Sequence, residues 1–367
     1  MHEKLKRLTD YGQSLWLDDL RRAYLDSGDL ERWVEMGLRG ETSNPSIFDE
    51  AISESDEYDD DLRKLAQEGL DAEAIVRELM EADIRGAADV LRPVYDETDG
   101  ADGYISVEVS PHLAHDTEAT LEEARRLFAA TDRPNVMVKI PATDAGIPAI
   151  RELIAEGRNI NITLMFSLDQ YEAVSGAYIS GLERFSERGG DLSQVASVAS
   201  FFVSRIDVKV DARLDEIAKN HPLRGTIGIA NAKMAYQLYK ERFESPRWLH
   251  LSAAGGCPQR PLWASTGVKD PTYPDTMYVD GLIGRNTVNT VPPKTFKAFL
   301  DHGTVQPMLD SGLDEARGQL EMLARAGIDL DEITGMLIDE GVRKFADSYD
   351  ALLETVEAKR GQIVQGK

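Results

Sequence analysis

Lys139 stands inside an apolar run, Val136-Met137-Val138-Lys139-Ile140-Pro141. Taking an amine out of water favours its neutral, nucleophilic form. Such an amine attacks a ketone and forms an imine. The protonated imine draws electrons, so the neighbouring carbon–carbon bond can break. Cleavage needs a base for the hydroxyl proton beyond that bond, and imine formation needs proton transfers that expel water. Two carboxylates occupy comparable positions. Asp18 closes the run Ser14–Asp18, and Glu108 lies between Val107 and Val109. Asp18 reads as the base for cleavage. Glu108, with a water held by Thr163, reads as the proton carrier for imine formation. Each residue also has a plainer reading: Lys139 snorkelling at a strand end, Glu108 pairing a buried arginine, Asp18 capping a helix that begins at Leu20. Burying a lysine and two carboxylates together is costly unless they serve one another or a substrate, which favours the catalytic reading.

Asn44, Asn161 and Ser200 are expected to offer neutral hydrogen bonds to a polyol. Asn161 and Thr163 share a strand face by the period of two, so they can equally satisfy one another inside a core. The chain carries 65 acidic and 41 basic residues, a net charge of -24. Such a surface argues against nucleic-acid and anionic-membrane partners. An anionic substrate would therefore need its own local cations. Arg205 and Lys269, with Ser265, are placed to supply them for a phosphate.

The elements that must position these residues are short apolar runs alternating with helical patterns. Eight runs qualify as strands: Ser14–Asp18, Gly40–Asn44, Tyr104–Val109, Asn135–Ile140, Ile160–Phe166, Ala196–Val203, Leu262–Thr266 and Thr287–Val291. Near-continuous apolar runs indicate burial on both faces, as in parallel sheets. Between them Leu121, Ala124, Leu127 and Phe128 form one helical stripe, and Ile147, Ile150, Leu153 and Ile154 another. Asp144 is expected to cap the second helix, Gly157 to end it, and Ser167 with Gln170 to form a capping box before the next. Eight strand–helix units predict a closed (β/α)8 barrel, a TIM barrel, which keeps its chemistry at the C-terminal strand ends. A doubly wound open sheet is the runner-up, but no Gly-x-Gly-x-x-Gly follows the first strand, and Gly255-Gly256 reads as a loop turn.

One α/β-barrel domain is expected over residues 1–367. It would carry a helical insertion over about 45–103 and extra helices over about 312–361, with Ile75, Leu79, Ile84 and Leu91 as core in the first, and Phe345, Tyr349, Leu352 and Leu353 as the helical stripe in the second. The acidic run Ser55–Asp61 reads as a solvated helix start. The single cysteine, Cys257, excludes an intramolecular disulfide and reads as an inert thiol in a reducing compartment. Met1–Thr9 lacks an apolar run, and no stretch approaches the ~18 apolar residues that span a bilayer, so the cytoplasm is expected. His112 and His115 lack a third histidine at ligand spacing, and His115 reads as the start of a helix. No metal and no organic cofactor are expected.

Four motifs resemble those of the transaldolases. They are Thr42-Ser43-Asn44-Pro45-Ser46, Val138-Lys139-Ile140-Pro141-Ala142-Thr143, Asn161-Ile162-Thr163-Leu164-Met165-Phe166-Ser167 and Ser200-Phe201-Phe202-Val203-Ser204-Arg205, in order and spacing. The resemblance implies a larger bacterial-type member of the class I aldolase superfamily, with Lys139 as the Schiff-base lysine on the fourth strand. Asp18 and Glu108 take the acid/base roles, Asn44, Asn161, Thr163 and Ser200 line the site, and Arg205 binds phosphate. The implied reaction, in the pentose phosphate pathway, moves a dihydroxyacetone unit from sedoheptulose 7-phosphate to glyceraldehyde 3-phosphate. One departure stands out. Shorter members carry Ser-x-Arg after the seventh strand, where this chain has Ser265-Thr266-Gly267-Val268-Lys269. Sugar phosphates are the expected partners, and the assembly is a monomer or a homodimer. A fructose 6-phosphate aldolase and a silent sugar-phosphate-binding barrel are the competing readings.

Overall fold

The computed structural model describes residues 1–365. Eight parallel strands close into a barrel in chain order. They are β1 Gln13–Asp18, β2 Gly40–Thr42, β3 Tyr104–Glu108, β4 Val136–Pro141, β5 Ile160–Met165, β6 Ser197–Phe202, β7 Arg260–Ala264 and β8 Thr287–Val291. Closure comes from β1, which pairs with β2 through Leu17–Glu41 and Asp18–Thr42 and with β8 from Gln13–Thr287 to Leu17–Val291.

The inner face of the barrel is graded along its axis. Trp16, Tyr104, Met137, Val198, Leu262 and Val288 pack together as an apolar layer. Gly40 makes room for it: a Cβ there would lie 2.5 Å from the Trp16 ring. Asp102, which accepts from Trp16 Nε1 at 3.0 Å and pairs with Arg260 at 3.3 Å, borders this layer. One step along, the period of two puts Asp18, Thr42, Ser106, Glu108, Lys139, Asn161, Thr163 and Ser200 on the same inner face. The apolar layer thus fills the barrel, and the polar residues lie nearer the C-terminal strand ends.

The expected interruptions are helical. Pro45–Glu54, Asp59–Gln67 and Ala72–Glu97 lie between β2 and β3, and Leu313–Arg325 and Leu330–Gln365 follow the barrel. Ile75, Leu79, Ile84 and Leu91 are buried, as are Phe345 and Leu352. Asp59, Asp60 and Asp61 form the first turn of their helix, and Lys359 pairs with Asp59. Gly255 takes φ +97 in a turn, and Gly157 takes φ +77 two residues past its helix. The Ser167–Gln170 capping box is present.

Several local expectations are corrected. Asp144 does not cap the helix Gly146–Ala155; the Thr143 hydroxyl accepts from Gly146 N at 2.9 Å instead. Asp18 does not cap a helix at Leu20, because the helix there begins at Arg22 and Asp18 accepts from Thr42 Oγ1 on the neighbouring strand at 2.8 Å. Gly40–Thr42 is two residues shorter than expected, since Asn44 leaves the sheet to cap Pro45–Glu54. β7 starts and stops two residues early, which leaves Ser265 beyond its end at φ +54. His115 sits in a turn before Asp116, the residue that caps Thr117–Thr131, and His112 contacts Asp350 at 2.7 Å.

Candidate active site

Strand register decides which groups meet. Glu108 on β3 is the direct partner of Lys139 on β4, and Lys139 is the direct partner of Asn161 on β5. Side chains at paired positions leave the sheet on the same face, so a carboxylate, an amine and an amide stand in one row. Lys139 Nζ lies 3.2 Å from Glu108 Oε2 and donates to the Ser43 carbonyl at 3.3 Å. The Phe345 ring lies 5.6 Å from the same nitrogen. Lys139 is 5% exposed and Glu108 8%. Burial pushes the Glu108 carboxyl above the ordinary carboxylate range, and Lys139 opposes the shift.

A cavity of about 240 Å³ opens over this row. Asp18, Lys139, Thr163 and Ser200 line its inner part. The Thr163 hydroxyl is buried with no hydrogen-bond partner. A buried polar atom without a partner is uncommon and points to a small group that belongs there, such as a water. Asn44 lines the cavity too, but its side-chain oxygen is committed to Ser46 N and Ile47 N at 3.0 and 3.2 Å. Only its amide N–H groups remain for another molecule.

Asn161 lies deeper than expected. It is fully buried, donates to Ser106 Oγ at 2.9 Å and accepts from Ser200 Oγ at 2.7 Å. The cavity wall includes Ser200 but not Asn161, whose oxygen holds the Ser200 hydroxyl from behind. The reading of Asn161 and Thr163 as one mutually satisfied pair is not what forms: Asn161 bonds to serines on β3 and β6, and Thr163 stands alone.

Arg205, Lys269 and Lys344 line the outer part of the cavity, beside Glu50, which Arg21 engages. Arg205 belongs to the helix Ser204–Ile217 that begins just after β6. Its guanidinium rests 5.0 Å from the Phe202 ring centre and 5.8 Å from that of Phe345. Burial draws its pKa down, and Asp18 and Glu108 act against that only at longer range. Ser265 and Lys269 line the same wall, with Ser265 Oγ 3.0 Å from Ser204 Oγ. Burial lowers the Lys269 pKa, and the charges of Lys344 and Arg205 add to the effect.

Sequence reasoning did not place two of the wall residues at the site. Lys344 and Phe345 reach the cavity from the helix Leu330–Gln365. Phe345 was legible only as part of an apolar stripe, and nothing local marks Lys344. Thr42 and Thr290, whose hydroxyls lie 2.8 Å apart, also line the cavity.

The profile of the family described as Transaldolase/Fructose-6-phosphate aldolase matches residues 15–356. The chain belongs to this family. Among its relatives, a protein named Transaldolase 2 from Streptomyces coelicolor is 48% identical over 371 residues, covering 100% of both chains. One named Transaldolase from Thermobifida fusca is 50% identical over 360 residues, covering 97% of this chain and 98% of its own. Another of that name, from Saccharopolyspora erythraea, is 49% identical over 368 residues. The family match opens inside β1 and ends inside the helix Leu330–Gln365, so it takes in both the barrel and the helix that reaches the cavity. Among the described residues no helix is long and apolar enough to cross a membrane.

Proposed function

We propose that this chain is a transaldolase that holds a three-carbon ketose fragment on Lys139 as a Schiff base. It moves a dihydroxyacetone unit from sedoheptulose 7-phosphate to glyceraldehyde 3-phosphate and leaves erythrose 4-phosphate and fructose 6-phosphate. Family membership and the names of the relatives support the reaction class. The observation that carries the mechanism is the buried pair of Lys139 and Glu108 under a cavity whose outer wall carries Arg205, Lys269 and Lys344.

Lys139 Nζ and Glu108 Oε2 face each other across 3.2 Å. Lys139 is the amine that attacks the ketone, and burial raises the Glu108 carboxyl, which suits it to deliver a proton. Glu108 then protonates the carbinolamine oxygen, which leaves as water and gives the imine. A water on the unpartnered Thr163 hydroxyl links acid and oxygen. Asp18 takes the proton of the hydroxyl beyond the scissile bond. The electrons of that bond pass into the protonated imine, and the aldehyde departs. The resulting enamine attacks the carbonyl of the acceptor aldehyde, whose oxygen recovers the proton. Hydrolysis of the new imine frees Lys139. Ser200 and the Asn44 amide are hydrogen-bonding groups for the hydroxyls. Arg205, Ser265 and Lys269 hold the phosphate at the outer end.

The test is to incubate the protein with fructose 6-phosphate, with and without erythrose 4-phosphate. A transaldolase forms sedoheptulose 7-phosphate when the acceptor is present. Free dihydroxyacetone without acceptor dependence would mean a fructose 6-phosphate aldolase. No turnover under either condition would mean a silent binding protein.

A further inference from the structure

The helix Leu330–Gln365 crosses the mouth of the barrel and is tied on both sides of it. Glu340 pairs with Lys209, on the helix after β6, at 2.7 Å. Ser348 Oγ meets Ser46 Oγ at 2.7 Å, and Thr355 donates to Asp49 at 3.2 Å, both on the helix after β2. Between these ties Gly341 lets the helix settle on the end of β5. A Cβ at Gly341 would lie 2.8 Å from Leu164 Cδ2 and 3.5 Å from the Arg205 guanidinium. The span Gly341–Phe345 is therefore fixed over the cavity, with Phe345 next to Lys139 and Arg205.

Lys344 lies in this span and lines the cavity. It makes no hydrogen bond or ion pair with any other described residue, and neither does Lys269; Arg205 makes only the ring contacts described above. Three unpaired cations around one cavity are conspicuous in a chain of net charge -24. Glu340 stands four residues before Lys344, the spacing at which helical Glu–Lys pairs form, yet it is engaged by Lys209 instead. Lys344 and Arg205 both press on Lys269, opposed only at longer range by Asp18, and an arriving anion relieves that repulsion as it forms charge-assisted hydrogen bonds.

We propose that Lys344 is a specificity residue that reads the phosphate of the sugar substrates, so that the C-terminal helix supplies one of the phosphate's cationic contacts. The inference rests on the sugar-phosphate reading above. Phosphate binding and the position of the helix are then coupled, because the cation lies on a segment that also carries a wall of the Lys139 pocket.

Lys344→Gln and Lys344→Arg decide it. Titration calorimetry with inorganic phosphate, which requires no turnover, should show binding weakened about 10-fold in Lys344→Gln and largely restored in Lys344→Arg. The preference for phosphorylated over unphosphorylated donor, measured as a ratio of kcat/KM values, should shrink about 10-fold in Lys344→Gln. Unchanged phosphate affinity in Lys344→Gln overturns the proposal. So does an unchanged donor ratio with equal loss on both donors, since that marks a purely structural part in holding the helix. If the unmodified protein turns over no sugar phosphate, the transaldolase reading fails, and the phosphate titration still decides the role of Lys344.

Discussion

Lys139 Nζ and Glu108 Oε2 stand 3.2 Å apart, on neighbouring strands and at paired positions. A slip of one residue in either strand would turn one group out of the barrel. Borohydride with fructose 6-phosphate should add one reduced dihydroxyacetone unit at Lys139, read by peptide mapping. Lys139→Met should fold and lose at least ~10³-fold in activity, because the covalent route is gone. An adduct on another lysine instead, or none, would sink the mechanism.

In the proposed mechanism Glu108 gives a proton before it takes one back. Its carboxyl is raised by burial, so the protonated form persists above the ordinary carboxylate range and is lost as pH climbs through the raised value. Imine formation should fall on that alkaline limb. Glu108→Gln should remove the limb and slow imine formation by ~10²–10⁴-fold. Rapid quench with borohydride across pH measures both, and an unaltered limb in Glu108→Gln would assign it to another group.

Asp18 faces the cavity and accepts from Thr42. Asp18→Ala should slow carbon–carbon cleavage by ~10²–10⁴-fold and affect imine formation less. Single-turnover kinetics separates the steps, and intact cleavage would leave Asp18 a structural partner of Thr42.

Arg205 is braced between two aromatic rings, whereas Lys269 has no such brace. A planar fork held in place suits phosphate better than a point charge on a flexible stem. Arg205→Ala should raise KM for phosphorylated ketoses more than Lys269→Ala does. The loss should be about 1.5–3 kcal/mol, roughly 10–150-fold, and far smaller with free dihydroxyacetone. Equal losses on both donors would make Arg205 structural.

Glu41 offers a test of stability rather than catalysis. It is fully buried on β2, and neither carboxylate oxygen has a hydrogen-bond partner among the described residues. Burial, with Asp19 and Asp83 nearby, raises its pKa well above the ordinary value. The unfolded chain ionises this carboxyl early and the folded chain late. Over that window the unfolded state binds fewer protons, so stability falls as pH rises, by about 1.4 kcal/mol per unit. Glu41→Gln should flatten this fall and gain on the parent protein toward neutral pH. Urea midpoints at several pH values read the effect, and parallel curves would refute it.

The barrel was legible because strands buried on both faces leave near-continuous apolar runs, and because period two picks out the inward residues. Lys139, Glu108, Asp18 and Thr163 fall where that periodicity places them. Element ends were less legible. β7 begins at Arg260, whose charge disguises it as loop until the ion pair with Asp102 is seen. Thr143 outcompetes Asp144 as a cap because its hydroxyl, not the carboxylate, meets Gly146 N. Asn161 looked like a wall residue because period two gives the face of a side chain, not its depth. Lys344 had no local signal, since its place at the cavity depends on a helix crossing a barrel built from distant sequence.

The pairing of β1 with β8 has a consequence for synthesis. Gln13 finds its partner only when Thr287 has been made, and Leu17 only with Val291. Until then β1, and the newest strand at the other side of the sheet, are open edges, the kind of surface that recruits other chains. A ribosome-bound intermediate thus carries an unclosed sheet for most of translation. Even after closure its pocket lacks a wall until Phe345 and Lys344 have emerged, so a stalled chain can hold a complete barrel over an unfinished pocket.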